Sequence, residues 1–289
     1  MAGGVSPVVR GRRLAALLRS LRDDSHKTAE EAAMYLECSA AKISRIENGL
    51  VGVRIQDARD LLDFYGVKGE QRELVLGLVR QARGRGWWYP FSDIMVEGYD
   101  QVVGLEDEAS AVRLLETRLI PGLLQTERYA TALIGTRHDV PPDVTKRRIQ
   151  LRMTRQQILS RADPTALRVV IDEAALRRQI APQDVMREQY EHLVAMAAAP
   201  TNSLRVLPLR GQEHQAAGFS YTIFEFADPA DPRVVFEEVF EGFMVRDSAE
   251  VTGRYLAGFD HAESCALAEG ESVEFLERLV ARPAEHECC

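Results

Sequence analysis

Between Thr28 and Gly49 the chain reads TAEEAAMYLECSAAKISRIENG, and few folds accept that string. Thr28 with Glu31 three residues later has the spacing of a capping box, which opens a helix by satisfying its first free N–H groups. That helix is short and runs through Ala32, Ala33 and Leu36. Ser39 caps a second helix, in which Ile43 and Ile46 recur at helical spacing on one side, and Asn48-Gly49 closes it. Helices of this length are not stable alone. Ala33 is small enough to let the two cross closely, and Leu36, Ile43 and Ile46 are spaced to anchor them to neighbours.

The neighbours are legible too. Val8 to about Arg22 places Leu14, Leu17, Leu18 and Leu21 on one helical face, and Asp23-Asp24-Ser25-His26 ends that helix. Residues 55–65 and 70–83 repeat the pattern with Ile55, Ala58, Leu61, Leu62 and Tyr65, then Leu74, Val75, Leu78, Val79 and Ala82. Five short helices form a compact bundle. GRGWWYPF (84–91) interrupts the periodicity with glycine, proline and aromatic residues. Beyond it, 167–174, 202–209, 218–226 and 233–240 read as strands. Residues 111–124 are ambiguous between strand and helix, and helices are expected at 126–134, 142–161, 183–199, 248–261 and 271–281. The predicted fold is an all-α five-helix helix-turn-helix domain over 1–84, an aromatic and glycine linker over 85–104, and a mixed α+β domain over 105–289.

A helix-turn-helix needs its second helix to start at an exposed, capped end, because the first residues of that helix enter the major groove. Ser39 supplies the cap. The segment resembles the Cro/lambda-repressor (xenobiotic-response-element) class through T-x-E-E-x-A-x-x-L followed by S-x-x-x-I-S-R-I-E-N-G, without a gap, within a match of about 75 residues. The resemblance implies a regulator that binds double-stranded DNA. It also implies an ion pair between Arg22, at the end of the first helix, and Glu47, before the Asn-Gly exit. Glu37 stands where that class usually has glycine, and His26 and Lys27 replace the usual glycine and apolar residue of the preceding turn.

The reading helix begins unusually for that class. Ala40 and Ala41 stand where Gln, Arg or Asn commonly reach base edges, so they can only pack on a thymine methyl or let the helix come closer. Polar readout then falls to Lys42, Ser44 and Arg45. Arg45 can reach a guanine O6/N7 pair or a phosphate, and a phosphate is the expected partner of Lys42. Thr28, Ser39 and Asn48 are placed for backbone phosphates. Charge agrees with this division: residues 1–85 carry about +4 and the remainder about −12, within a net charge of −8. Only the first part is expected to face a polyanion. One such domain reads few base pairs, so a homodimer on an inverted-repeat operator is expected.

WWYPFSDI, VGLEDEAS, LIPGLLQTERYA and VIDEAALRRQI resemble actinobacterial antitoxin-like transcriptional regulators with a C-terminal domain of uncharacterised function. Such proteins are encoded beside a small partner protein. The resemblance implies that the second domain senses that partner or a small-molecule effector. Within it, Glu106-Asp107-Glu108 reads as a solvated charged turn, and Asp172-Glu173 as a strand end passing into a helix N-terminus. PGLLQT (121–126) reads as a turn followed by Thr126 capping a helix. His261 and Cys265 have the i, i+4 spacing of metal ligands but no partner pair. His286 with Cys288 and Cys289 reads as a fraying tail. Trp87, Trp88 and Tyr89 read as a hydrophobic plug between domains, or as lining for a ligand pocket or partner interface. Phe219 to Phe226 reads as a largely buried strand.

The expected function is transcription regulation by an effector that binds differently to DNA-competent and incompetent states. The rival is an enzyme recruited to DNA by the helix-turn-helix. It lacks a convergent acid, base and nucleophile, and neither GxGxxG, a Walker loop nor GxSxG occurs. No catalytic residue, metal or cofactor is expected. No apolar run of 18 residues occurs, the basic N-terminus lacks a cleavage site, and Cys38, Cys265, Cys288 and Cys289 do not make a disulfide framework. A cytoplasmic protein is expected.

Overall fold

The computed structural model describes residues 6–49, 51–136, 140–210, 218–229, 231–239 and 242–281. His286, Cys288 and Cys289 lie outside the described residues, as does Phe240 at the end of an expected strand. The chain divides into two units, Met1–Tyr89 and Pro90–Cys289.

The first unit is all helix: α1 (Pro7–Asp24), α2 (Ala29–Tyr35), α3 (Ala40–Glu47), α4 (Ile55–Phe64) and α5 (Gly69–Ala82). Each start has a local cause. Ser6 Oγ accepts from Val8 N at 3.3 Å and Pro7 sits in the first turn of α1, where its missing N–H costs nothing. Thr28 and Glu31 form the reciprocal capping box, with bonds of 3.1 and 2.8 Å. Ser39 Oγ accepts from Lys42 N at 3.2 Å. Leu18, Ile43, Ile46, Leu61, Leu62 and Val75 are buried together, and Ala32 and Ala33 lie at the α2–α3 crossing. Each large aliphatic side chain so buried contributes about 1.5–3 kcal/mol.

The turns after α1 and α2 need a left-handed residue, and neither has glycine. His26 has φ 54° and Glu37 φ 51°. Cys38 N donates to Ala33 O at 2.9 Å and Lys27 N to Arg22 O at 3.1 Å, which satisfies carbonyls at each helix end. Left-handed backbone costs about 1 kcal/mol at each site.

The second unit is built on one six-stranded mixed sheet. Its elements are α6 (Tyr99–Glu108), β1 (Ala111–Glu116), α7 (Glu127–Gly135), α8 (Pro142–Arg155), β2 (Ala166–Asp172), α9 (Glu173–Arg177), α10 (Gln183–Ala197), β3 (Asn202–Leu207), β4 (Tyr221–Glu225), β5 (Val234–Val239), β6 (Gly242–Arg246), α11 (Ala249–Cys265) and α12 (Glu269–Val280). Strand order is β3-β2-β1-β4-β5-β6. β1, β2 and β3 are parallel, and β1, β4, β5 and β6 pair antiparallel in turn. Phe259 and Ala262 of α11 pack on the face made by Leu115, Val170, Tyr221, Ile223 and Val235. Among the described residues no helix is long and apolar enough to cross a membrane.

Several expectations are corrected here. The ambiguous 111–124 stretch is a strand to Glu116 and a 3₁₀ turn over Gly122–Leu124. Residues 85–104, read as linker, contain a 3₁₀ turn over Tyr89–Ile94 and the start of α6, in which Val102 and Val103 are buried. Phe219 lies before β4 and is 59% exposed, so burial of that strand begins at Tyr221. Glu106-Asp107-Glu108 is the end of α6, not a solvated turn. Glu106 is only 4% exposed because Arg155 holds it through two hydrogen bonds of 2.6 and 2.8 Å.

Candidate nucleic-acid interface

The reading helix α3 is fixed on one side and open on the other. Ile43 and Ile46 are buried, and Ala40 packs against the same core. Ala41, Ser44, Arg45 and Asn48 are exposed and follow i, i+3, i+4, i+7 spacing, so they form one stripe. The two alanines therefore differ. Ala40 turns inward as part of the anchor, and Ala41 lies on the open face, where its small side chain leaves room beside Arg45.

Arg45 is the one long side chain of that stripe. Its guanidinium has no hydrogen-bond or ion-pair partner among the described residues. Its planar fork of N–H donors matches a guanine edge or a phosphate. Asn48 is used locally: Nδ2 donates to Ser44 O at 2.8 Å and to Ser44 Oγ at 3.2 Å, which caps the helix end. Gly49 follows with φ 68° and closes the turn.

Lys42 is tethered. Its Nζ lies 2.8 Å from Asp57 Oδ2 on α4, so that carboxylate competes with a phosphate for its charge. Thr28 has less to offer a phosphate than its position promised. Its N–H is taken by Glu31, its hydroxyl oxygen accepts from Glu31 N, and Glu30 and Glu31 put negative charge in the same turn. The Ser39 hydroxyl is exposed at the start of α3.

Arg22 and Glu47 meet as the resemblance implied. Arg22 Nε donates to Glu47 Oε1 at 2.7 Å and Nη2 to Oε2 at 3.0 Å, while Nη1 donates to Lys27 O at 2.9 Å. The side chains are 13% and 7% exposed. Hydrogen bonding to Glu47 raises the Arg22 pKa above its ordinary value.

Trp87, Trp88 and Tyr89 close the first unit. Trp88 is buried, its ring edge-on to Trp87 at 5.9 Å, and it lies so close to Gly86 that a Cβ there would sit 2.3 Å from the indole. Tyr89 is exposed, with the Arg85 guanidinium 4.0 Å from its ring centre.

In the second unit Asp172 and Glu173 have structural partners. Asp172 caps α9 by accepting from Ala174 N at 2.7 Å, and Glu173 is held by Arg177 and by Leu209 N. Cys265 is a free thiol on α11, and among the described residues no group of three or more His, Cys, Asp or Glu is placed to hold a metal. Sequence reasoning missed the polar core around 120–126. Gln189 is fully buried and bonds both Thr126 N and Leu124 O at 2.7 Å. Gln156 donates to Gly122 O and Gln125 O at 2.9 and 2.8 Å, and Arg152 donates to Gln125 Oε1 at 2.6 Å. One signal was available: Gln189 sits on the apolar face of α10 with Val185, Met186 and Leu193. As the turn-and-cap pattern of PGLLQT implies, Thr126 Oγ1 accepts from Tyr129 N at 3.2 Å.

Residues 13–75 match a family model described as a helix-turn-helix domain. Residues 99–278 match a model described as a domain of unknown function, DUF5753. No curated protein and no solved structure matches the chain.

Proposed function

We propose that this chain, which belongs to the family defined by the domain of unknown function DUF5753, is a sequence-specific DNA-binding transcriptional regulator. The helix-turn-helix domain at 13–75 supports the DNA-binding part. The observation that carries it is the open stripe Ala41, Ser44, Arg45, Asn48 on a helix whose opposite side is locked into a core. Only Arg45 on that stripe is long and has its charge free among the described residues.

In this reading the protein belongs to the Cro/lambda-repressor class and to the antitoxin-like regulators, and works in the cytoplasm as a homodimer on an inverted-repeat operator. The DUF5753 domain is not a catalyst. It senses a small protein partner or a ligand, and changes operator affinity through differential binding to two dimer geometries. Ser39 positions the helix on the phosphate backbone, Ala41 contacts or clears a thymine methyl, and Arg45 reads a guanine.

Titration of duplex binding against salt tests the reading. Affinity should fall steeply and linearly on logarithmic axes, as counterions are released from contacted phosphates. Salt-independent binding, or none to any duplex, would overturn it.

A further inference from the structure

The sheet face turned away from α11 has two half-buried positions on neighbouring strands. The strand register puts Leu114, Thr222 and Phe236 in one row, and Glu238 and Phe243 in the next. Glu116, two residues beyond Leu114, is on the same face. β1 and β4 are central strands. Thr222 and Glu116 are nevertheless half-buried, not buried, so the layer above them is open there. Tyr99 of α6 flanks the opening, its ring 5.6 Å from that of Phe243.

Arg152 of α8 supplies an unmatched charge. Among the described residues its one hydrogen bond is to the neutral Gln125 Oε1, and no carboxylate lies within ion-pair distance of it. Arg155, three residues on, differs: it is bidentate on Glu106. Most N–H donors of Arg152 are thus free, on a side chain whose pKa burial pushes down. Glu238 and Tyr99 lie within its electrostatic reach, and Tyr129 feels both Arg152 and Glu116. The place is the carboxyl end of β1, beside a strand that runs the other way.

We infer that this recess binds a small carboxylic acid bearing a hydrogen-bond donor at its far end. The carboxylate pairs with the Arg152 fork, the apolar body lies against Tyr99 and Phe243, and the donor meets Glu116 and Glu238. A guanidinium takes a carboxylate in two parallel bonds, which fixes orientation as well as charge. Glu116, pushed up to about 7 by burial, exists in both protonation states near neutrality and so accepts from a hydroxyl or an amine. The inference gives the proposed sensing function a place. It rests on that reading only for any consequence at DNA; ligand binding stands or falls separately.

The full chain, labelled with ¹⁵N-arginine, is titrated with acetate, 4-hydroxybenzoate and the uncharged 4-hydroxybenzamide, and the Arg152 Nε–H resonance is followed. That resonance is identified by its loss in Arg152→Gln. The expected result is a saturable shift with 4-hydroxybenzoate at or below about 10 mM, a weaker shift with acetate and none with the amide. Because Arg152→Gln also removes the bond to Gln125, the exposed Glu238→Ala is the second variant. It should keep the fold by circular dichroism and weaken 4-hydroxybenzoate several-fold while leaving acetate unchanged. An Arg152 resonance that does not respond to either carboxylate overturns the inference. So does an equal response to the amide, or unchanged 4-hydroxybenzoate affinity in Glu238→Ala.

Discussion

Arg22, near the end of α1, and Glu47, at the end of α3, are joined by parallel hydrogen bonds of 2.7 and 3.0 Å. The pair spans 25 residues of sequence and fixes the angle between the first helix and the reading helix. Arg22 also donates to the Lys27 carbonyl, so the same guanidinium holds the turn in which His26 is left-handed. Both side chains are largely out of solvent, where a lone charge is costly. Glu47→Ala should therefore lower stability by about 3 kcal/mol, read from urea denaturation midpoints. The double variant Arg22→Met, Glu47→Leu should recover most of the loss. A fall of under about 1 kcal/mol in the single variant, typical of an exposed pair, would show that the bond does not lock the helices.

The Lys42–Asp57 bridge predicts a gain of function. Lys42 is held 2.8 Å from the Asp57 carboxylate. Asp57→Asn frees the ammonium and removes a negative charge near the backbone. Affinity should rise for all duplex sequences alike, and the salt slope should steepen by about 0.9, the value for one more phosphate contact. An unchanged slope in a folded variant would mean that Lys42 does not reach DNA in either form.

Glu116 predicts a pH dependence with a definite sign. Burial raises its folded pKa from 4.5 to about 7. The folded state then holds a proton that the unfolded state has released, so stability is fully present below about pH 4.5 and is lost as pH rises toward 7. Glu116→Gln should abolish that slope and stabilise the protein at pH 8 by about 1–3 kcal/mol relative to wild type. Denaturation at pH 5 and pH 8 for both proteins measures it, and parallel pH profiles would refute the assignment.

The sequence made the first unit legible because its signals are local. Caps, exits and apolar periodicity each act within one helical turn, and the Arg22–Glu47 pair came with the resemblance. What it hid were relations between elements. Ala40 and Ala41 look equivalent as a string, but one residue is about 100° of helix, enough to send the first into the core and the second to the open face. Lys42 finds its carboxylate on the next helix, and Arg152 finds Gln125 across 27 residues. Neither spacing has a local signature. The acidic run at the end of α6 masked an amphipathic helix whose Glu106 is buried only because Arg155 arrives from α8. β6 runs three apolar residues, Phe243, Met244 and Val245, in succession, so no alternation marks it.

The central claim is that α3 reads bases through Arg45, and selection of bound duplexes from random sequence tests it most directly. With wild-type protein the selected sites should form an inverted repeat with a guanine at one or two fixed positions in each half. With Arg45→Ala preference should flatten at those positions alone, each losing about 1–3 kcal/mol of discrimination. If Arg45→Ala weakens every sequence equally and leaves the selected motif intact, Arg45 is a phosphate clamp and the account of readout is wrong.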